Sequence, residues 1–334
     1  MVEAVEDKPL RIMVVIPGRP EERTMVFSRR QARALAEMHN ALVEVYFLES
    51  RTSPIAMLKE LRRMKETIRR FKPEVVHAHY GTVTALLSVL VSPVPVVITF
   101  HGSDLNHTPH DGFFRDLLGR LMSQSAALGA TGIICVSEQL RDRLWWKRKR
   151  VRILPMGVEL RRYIPVPRDE ARRRLGWSAR PQVVIFNATA PARKRLDIAQ
   201  QVEHKLQAEG VSMELELLQG GITQEEMPVL LSAADALLMC SNSEGSPTMV
   251  KEAMACDLPV VTNDVGDVKD RLAGVSPGAV VSQDPTELSK ALRSVLLEAR
   301  RSNGRAMAVR NKADAESLDA LTFELLLSCA RGNG

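Results

Sequence analysis

Aromatic residues are scarce in this chain of 334 residues: three Trp, three Tyr and eight Phe make up 4% of it. Proteins that bind single-stranded nucleic acid stack bases on aromatic rings interleaved with cations. With so few rings and no recognisable reading motif, nucleic acid is excluded as the expected partner. Cysteine is scarcer still, at four residues. Cys135, Cys240, Cys256 and Cys329 form no Cys-x-x-Cys pair, and each sits among apolar or small residues. This excludes a disulfide-stapled fold and suits buried, reduced thiols in a cytosolic protein. Long apolar runs are missing too. The longest, Thr84 to Phe100, is interrupted by Pro93 and Pro95 and falls short of the ~20 apolar residues that span a bilayer. The first residues are acidic before they turn apolar, unlike the basic and then apolar start of a signal peptide.

What remains is an ordinary globular composition, 45% hydrophobic and 26% charged. At roughly 150 residues per domain, the length suggests two domains. The net charge of +6 permits an acidic partner without demanding one. Short apolar runs alternate with helix-period segments. The first series of runs is Arg11 to Pro17, Leu42 to Leu48, Glu74 to His79, Pro95 to Phe100, Gly132 to Ser137 and Val151 to Pro155. They are nearly continuous in apolar residues, as expected of strands buried on both faces of a parallel sheet. Between two of them, Ile55, Leu58, Leu61, Met64, Ile68 and Phe71 recur every three or four residues, which predicts an amphipathic helix. The alternation predicts a doubly wound α/β sheet.

Arg161 to Trp177 carries two close prolines, Pro165 and Pro167, and no strand pattern, so it reads as a linker. A second α/β series follows, in Gln182 to Asn187, Met213 to Gln219, Asp235 to Cys240, Pro259 to Asn263 and Gly278 to Ser282. The expected division is residues 1–162, residues 163–312, and a terminal helix over 313–334 that packs back toward the first domain. Two such units would face each other across a cleft at their strand C-termini, where α/β folds bind ligands.

The densest chemistry lies in Cys240 to Asp264, CSNSEGSPTMVKEAMACDLPVVTND. A strand leads into a loop with Glu244 and Gly245, and Thr248 is placed to cap a helix carrying Glu252. The helix start offers free backbone N–H groups and the positive end of a dipole, suited to a diphosphate. Gly245 lets the backbone approach a ligand closely. Two carboxylates beside an anion site make sense as partners of hydroxyl groups, in which a sugar or ribose is rich.

These residues resemble glycosyltransferase family 4, retaining nucleotide-sugar transferases of GT-B fold. Glu244-Gly245 through Glu252-Ala253-Met254-Ala255 to Pro259-Val260-Val261 matches that family's signature of two glutamates seven residues apart. AADALLMCS upstream and TNDVGDVKD downstream are similar to its neighbouring segments. In the first half, KPEVVHAHYG, ITFHGSDL, CVSEQLRDRL and ILPMGVEL resemble further motifs of the family, in its order.

The resemblance implies two Rossmann-like domains, with acceptor binding in the first and donor binding in the second. It implies that Glu252 binds the donor ribose and Glu244 the donor sugar near its reacting carbon. Ser246, Pro247 and Thr248 would lie against sugar and phosphate, Lys194 would neutralise the leaving diphosphate, and Arg193 would assist it. His101 and Gly102 would line the sugar pocket, with Glu244, His101 and Lys194 forming the catalytic set. Gly18 and Asp104 would reach the acceptor, although Asp104 also reads as a cap of its own loop. The nucleotide sugar is a co-substrate, and no cofactor or metal is required. Three departures stand out. The family's Gly-Gly after the first strand is Pro17-Gly18-Arg19-Pro20 here, its Gly-Arg is Asn187-Ala188, and its Phe-Gly after the first glutamate is Ser246-Pro247.

Two other features were weighed. His77, His79, His101, His107 and His110 invite a metal reading, but no His-Glu-x-x-His helix or nearby Cys supports it. Leu144 to Arg152 joins Trp145 and Trp146 to five basic residues. This stretch reads either as a solvated amphipathic helix or, over Trp145 to Arg152, as a contact with anionic lipid at the inner face of the cell membrane. The expected function is transfer of a sugar from a UDP- or GDP-sugar to a hydroxyl of a carbohydrate or lipid-linked acceptor, in cell-surface polysaccharide or glycolipid assembly. The rival readings are a GT-B sugar-nucleotide epimerase and a non-catalytic sugar-nucleotide binder.

Overall fold

The computed structural model describes residues 8–22, 24–38, 41–50, 53–107, 112–146 and 151–332. The chain forms two compact units, Met1–Pro155 with Leu318–Gly334 and Met156–Ser317. Unit 1 holds strands β1 (Leu10–Pro17), β2 (Ala41–Leu48), β3 (Val75–His79), β4 (Val96–Phe100), β5 (Gly132–Cys135) and β6 (Val151–Ile153). They pair in parallel, in the order β2-β1-β3-β4-β5-β6. Unit 2 holds β7 (Gln182–Asn187), β8 (Met213–Leu218), β9 (Ala236–Met239), β10 (Val260–Asn263) and β11 (Ala279–Val281). These too are parallel, in the order β11-β10-β9-β7-β8. Each sheet is doubly wound, as the alternation of strand and helix signals predicts.

Strand order decides which runs are buried on both faces. In β7, Val183 and Ile185 enter one apolar cluster of unit 2, and Val184 and Phe186 enter the other. A central strand with alternate residues in two cores must be apolar throughout. The edge strands depart from that expectation. β2 leaves Leu42 and Val45 exposed, and β8 is only half-buried over its four central residues. Ile55 and Leu58 are also exposed, so the predicted amphipathic helix, Pro54–Phe71, buries its stripe only from Met64 onward.

The segment read as a linker is folded into unit 2. Pro167 caps the helix Arg168–Arg174, and Tyr163 and Trp177 are buried in one of the unit's cores. A proline at a helix start needs no N–H partner there, so it opens the helix instead of breaking it. Arg172 is buried and donates to the carbonyls of Trp177, Arg180 and Pro181 and to Asp235. The terminal helix runs Ala315–Ala330. Its Leu326 and Cys329 join the unit 1 core around Leu10, Ile12 and Val14, and its Asp319 pairs with Arg30 at 2.8 Å. All four cysteines are buried and unpaired. Among the described residues, no helix is long and apolar enough to cross a membrane.

Candidate active site

In both sheets the strand order reverses between two adjacent strands, β1 and β3 in unit 1 and β7 and β9 in unit 2. Loops leaving the carboxyl ends of such a pair diverge to opposite faces and open a crevice. In unit 2, β7 delivers the short helical turn Pro191–Lys194 and β9 delivers the loop to Glu244 and Gly245. The two loops are laced together. Asn242 N–H donates to the Arg193 carbonyl at 2.9 Å, and Arg193 Nη1 donates to the Ser243 carbonyl at 3.1 Å.

Three expected site residues meet here. Glu244 Oε1 accepts from Lys194 Nζ at 2.5 Å and from Arg193 Nη1 at 3.0 Å. Burial alone would favour a neutral Glu244, but the charges of Lys194 and then Arg193 hold its carboxyl below the usual range. Two cations and one carboxylate leave a net positive charge at the strand ends of unit 2, suited to a phosphate group.

Beyond Gly245 the backbone is tightly confined. Gly266 has φ +65°, and a Cβ on it would meet the Gly245 carbonyl oxygen at 2.5 Å. The helix after the turn, Thr248–Ala255, is capped by Pro247 and not by Thr248. Pro247 brings no side-chain hydrogen bond to the helix start, and Thr248 becomes the first helical residue. Glu252 is half-buried on this helix and accepts from the Tyr163 hydroxyl at 2.8 Å. Burial raises the Glu252 carboxyl, against the pull of that hydrogen bond.

The side chain of Ser246 faces a network that the sequence reading missed. Its hydroxyl donates to Asp267 Oδ2 at 2.6 Å and accepts from Lys251 Nζ at 2.8 Å. Lys251 is buried and also donates to the Met156 carbonyl at 2.6 Å, while Arg271 Nε donates to Asp267 Oδ2 at 2.9 Å. Lysine one residue before a signature glutamate reads in sequence as a solvated helix cation, so only the fold reveals it.

In unit 1, His101 and Gly102 follow β4. His101 Nε2 lies 3.1 Å from His79 Nδ1, and its ring centroid is 4.9 Å from that of Phe27. Burial pushes His77 down to about 3 and His79 well below its ordinary value, so both rings are neutral. Among the described residues no group of three His, Cys, Asp or Glu could hold a metal. His110 lies outside the described residues. Gly18 adopts φ +115° in the loop after β1, where a Cβ would meet Glu22 Oε2 at 2.7 Å.

Asp104 is turned inward, away from any acceptor. It is fully buried, and its carboxylate accepts the backbone N–H groups of Gly81, His101 and Gly102 at 2.8–3.2 Å. It therefore positions the His101 loop. An Asn side chain would set its NH2 against at least one of these donors. Asp104→Asn is expected to lose about 2 kcal/mol of stability, a fall of about 4–8 °C in melting temperature, readable by calorimetry.

The comparisons with known proteins agree with this placement. Residues 14–162 match the model for Glycosyltransferase Family 4, and residues 196–313 match that for Glycosyl transferases group 1. The chain belongs to glycosyltransferase family 4. A relative from Bacillus subtilis, named as a teichuronic acid biosynthesis glycosyltransferase, TuaC, is 27% identical over 232 residues, 62% of this chain and 57% of its own. A D-inositol 3-phosphate glycosyltransferase of Geodermatophilus obscurus is 30% identical over 194 residues, 48% of this chain and 43% of its own. The chain thus spans about half the length of these curated relatives. Among solved structures, HepE of Anabaena in complex with UDP aligns with TM-score 0.69 at 15% identity, over 96% of this chain and 100% of that one. At that identity the likeness shows the fold, which is GT-B.

Proposed function

We propose that this family 4 member is a retaining, metal-independent glycosyltransferase. It moves a sugar from a UDP- or GDP-sugar to a hydroxyl of a carbohydrate or lipid-linked acceptor, in cell-surface polysaccharide or glycolipid assembly. The observation that carries the reading is the contact of Glu244 with Lys194 and Arg193 at the strand ends where the unit 2 sheet reverses.

The chemistry follows from the charges. As the bond between the anomeric carbon and the diphosphate breaks, negative charge grows on the leaving group and positive charge on the sugar. Lys194 and Arg193 stabilise the first, and the Glu244 carboxylate, held ionised by the same cations, is placed to stabilise the second. Glu252 takes the ribose hydroxyls, with Tyr163 fixing one of its oxygens. Bringing two positive charges to a diphosphate is the work a divalent cation does in other transferases.

The test is incubation with a panel of nucleotide sugars, with and without candidate acceptors. Acceptor-dependent nucleotide release with retained anomeric configuration supports the proposal. An isomerised donor would make the chain an epimerase, binding without turnover would make it a sugar-nucleotide binder, and an inverted product would reject retention. Glu252→Gln should weaken binding of the preferred nucleotide by about 1–2 kcal/mol, or about 5–30-fold, by removing charge from a hydrogen bond. Calorimetric titration reads that loss, and unchanged affinity would remove Glu252 from the donor site.

A further inference from the structure

In unit 1 the helix Phe113–Gly129 turns Asp116, Ser123, Gln124, Ala126 and Ala127 inward. Phe114, Leu118, Leu121 and Leu128 are 83%, 54%, 40% and 53% exposed. At 3.6 residues per turn these four and Ser125 fall on one outward arc of the helix. That arc carries no charged residue, although the solvent face of a surface helix is normally charged or polar.

The neighbourhood extends the pattern. Leu90, 68% exposed, lies on the adjoining helix Thr82–Val91. Gln124, three residues after Leu121 and four before Leu128, ties down two tryptophans. Its Oε1 accepts from Trp145 N–H at 3.0 Å, and its carbonyl accepts from Trp146 Nε1 at 2.9 Å. The two rings meet edge to face at 5.5 Å, and Trp145 is 54% exposed. The nearby acids are matched by cations. Asp116 pairs with Arg120 and His107, and Glu138 and Asp142 pair with Arg141. Arg115 and Arg143 are exposed on the rim. In the sequence, Lys147, Arg148, Lys149 and Arg150 follow Trp146 directly; they lie outside the described residues and are no part of the face itself.

We propose that this helix face docks on an anionic lipid bilayer. Phe114, Leu118 and Leu121 enter the boundary between head groups and acyl chains, as the apolar face of an interfacial helix does. Trp145 and Trp146 sit at head-group level, and the rim arginines meet lipid phosphates. A second copy of the chain fits less well. A two-fold contact would bring each cationic rim against its own copy, with like charges opposed. The inference does not depend on the glycosyltransferase reading, but it would bring unit 1 to acceptors anchored in lipid.

The test is co-sedimentation of the full chain with vesicles of phosphatidylcholine alone or mixed with phosphatidylglycerol. The wild type is expected to bind the mixed vesicles, more weakly as salt screens the charges. The triple variant Phe114→Gln, Leu118→Gln and Leu121→Gln should lose about a hundredfold or more in partitioning. Arg115→Glu with Arg143→Glu should lose anionic preference while the apolar face stays intact. Unaltered circular dichroism and nucleotide binding confirm that both variants are folded. Failure of the wild type to bind mixed vesicles, or equal binding by the triple variant, overturns the proposal. So does a self-associating wild type that the triple variant renders monomeric, because a second copy would then occupy the face.

Discussion

Lys194→Met is expected to lower the rate of sugar transfer by a hundred- to a thousandfold, about 2.7–4 kcal/mol in the barrier, the scale set by removing one preorganised stabiliser of transition-state charge. Met keeps most of the length and packing of the lysine stem, and Lys194 is only 8% exposed, so the turn it occupies should remain filled. What disappears is the cation 2.5 Å from Glu244. Because charge on the diphosphate builds as the bond breaks, the loss should fall on kcat more than on the KM for donor. A pure KM effect would place Lys194 in ground-state binding instead. The variant should also move a pH limb. Burial disfavours the charged Glu244, and Lys194 is the largest influence that reverses this, ahead of Arg193. A carboxyl held below its unfolded value adds stability above that value and loses it as the pH falls through the depressed one. Without Lys194 the group protonates at higher pH. The acid limb of the rate profile and the acid-unfolding midpoint should both shift upward, with Arg193 limiting the shift. A fall in rate without movement of either limb would show that the two groups are not coupled.

The sequence made the two sheets and most of the site residues readable, because a parallel sheet writes its central strands as apolar runs and the glutamate signature lies within one loop and one helix. What it could not show was adjacency. β2 and β8 read like central strands, yet they are edges, since strand order is set by crossovers and not by local pattern. The prolines at 165 and 167 read as linker, while burial of Tyr163 and Trp177 pulls that stretch into the core of unit 2. Glu244 and Lys194 are 50 residues apart in the chain and touch because β7 and β9 are neighbours. Asp104 resembled a ligand-facing loop carboxylate, and only the convergence of three backbone amides shows that it serves the loop. Lys251 went unnoticed because its carbonyl partner, at Met156, is 95 residues away.

Lys251→Met should separate function from stability. The wild-type chain of donors has one direction. The ammonium donates to Ser246 Oγ, the Ser246 proton goes to Asp267, and Asp267 also accepts from Arg271. A serine hydroxyl has a single proton, so this arrangement fixes its rotamer and clamps the turn Gly245-Ser246-Pro247 at its one hydrogen-bonding side chain. Removing the ammonium loses two hydrogen bonds to a charged group, at about 1.5–3 kcal/mol each. It also ends the desolvation of a buried cation, which costs several kcal/mol. These terms oppose each other, and Asp267 keeps Arg271 as its counter-ion. Stability should therefore change by about 1 kcal/mol or less, roughly 2–4 °C in melting temperature. The turn, however, loses its clamp beside the donor site, and a displacement of about 1 Å near reacting groups costs up to a hundredfold in rate. Ser246→Ala cuts the same chain at its middle link and should lose a similar amount. The double variant should be no slower than the worse of the two, because residues in one network are not additive. Turnover and melting temperature measured on all three variants decide the matter. Additive losses, or a fall in stability large enough to account for the lost rate, would remove Lys251 as the residue that positions the turn.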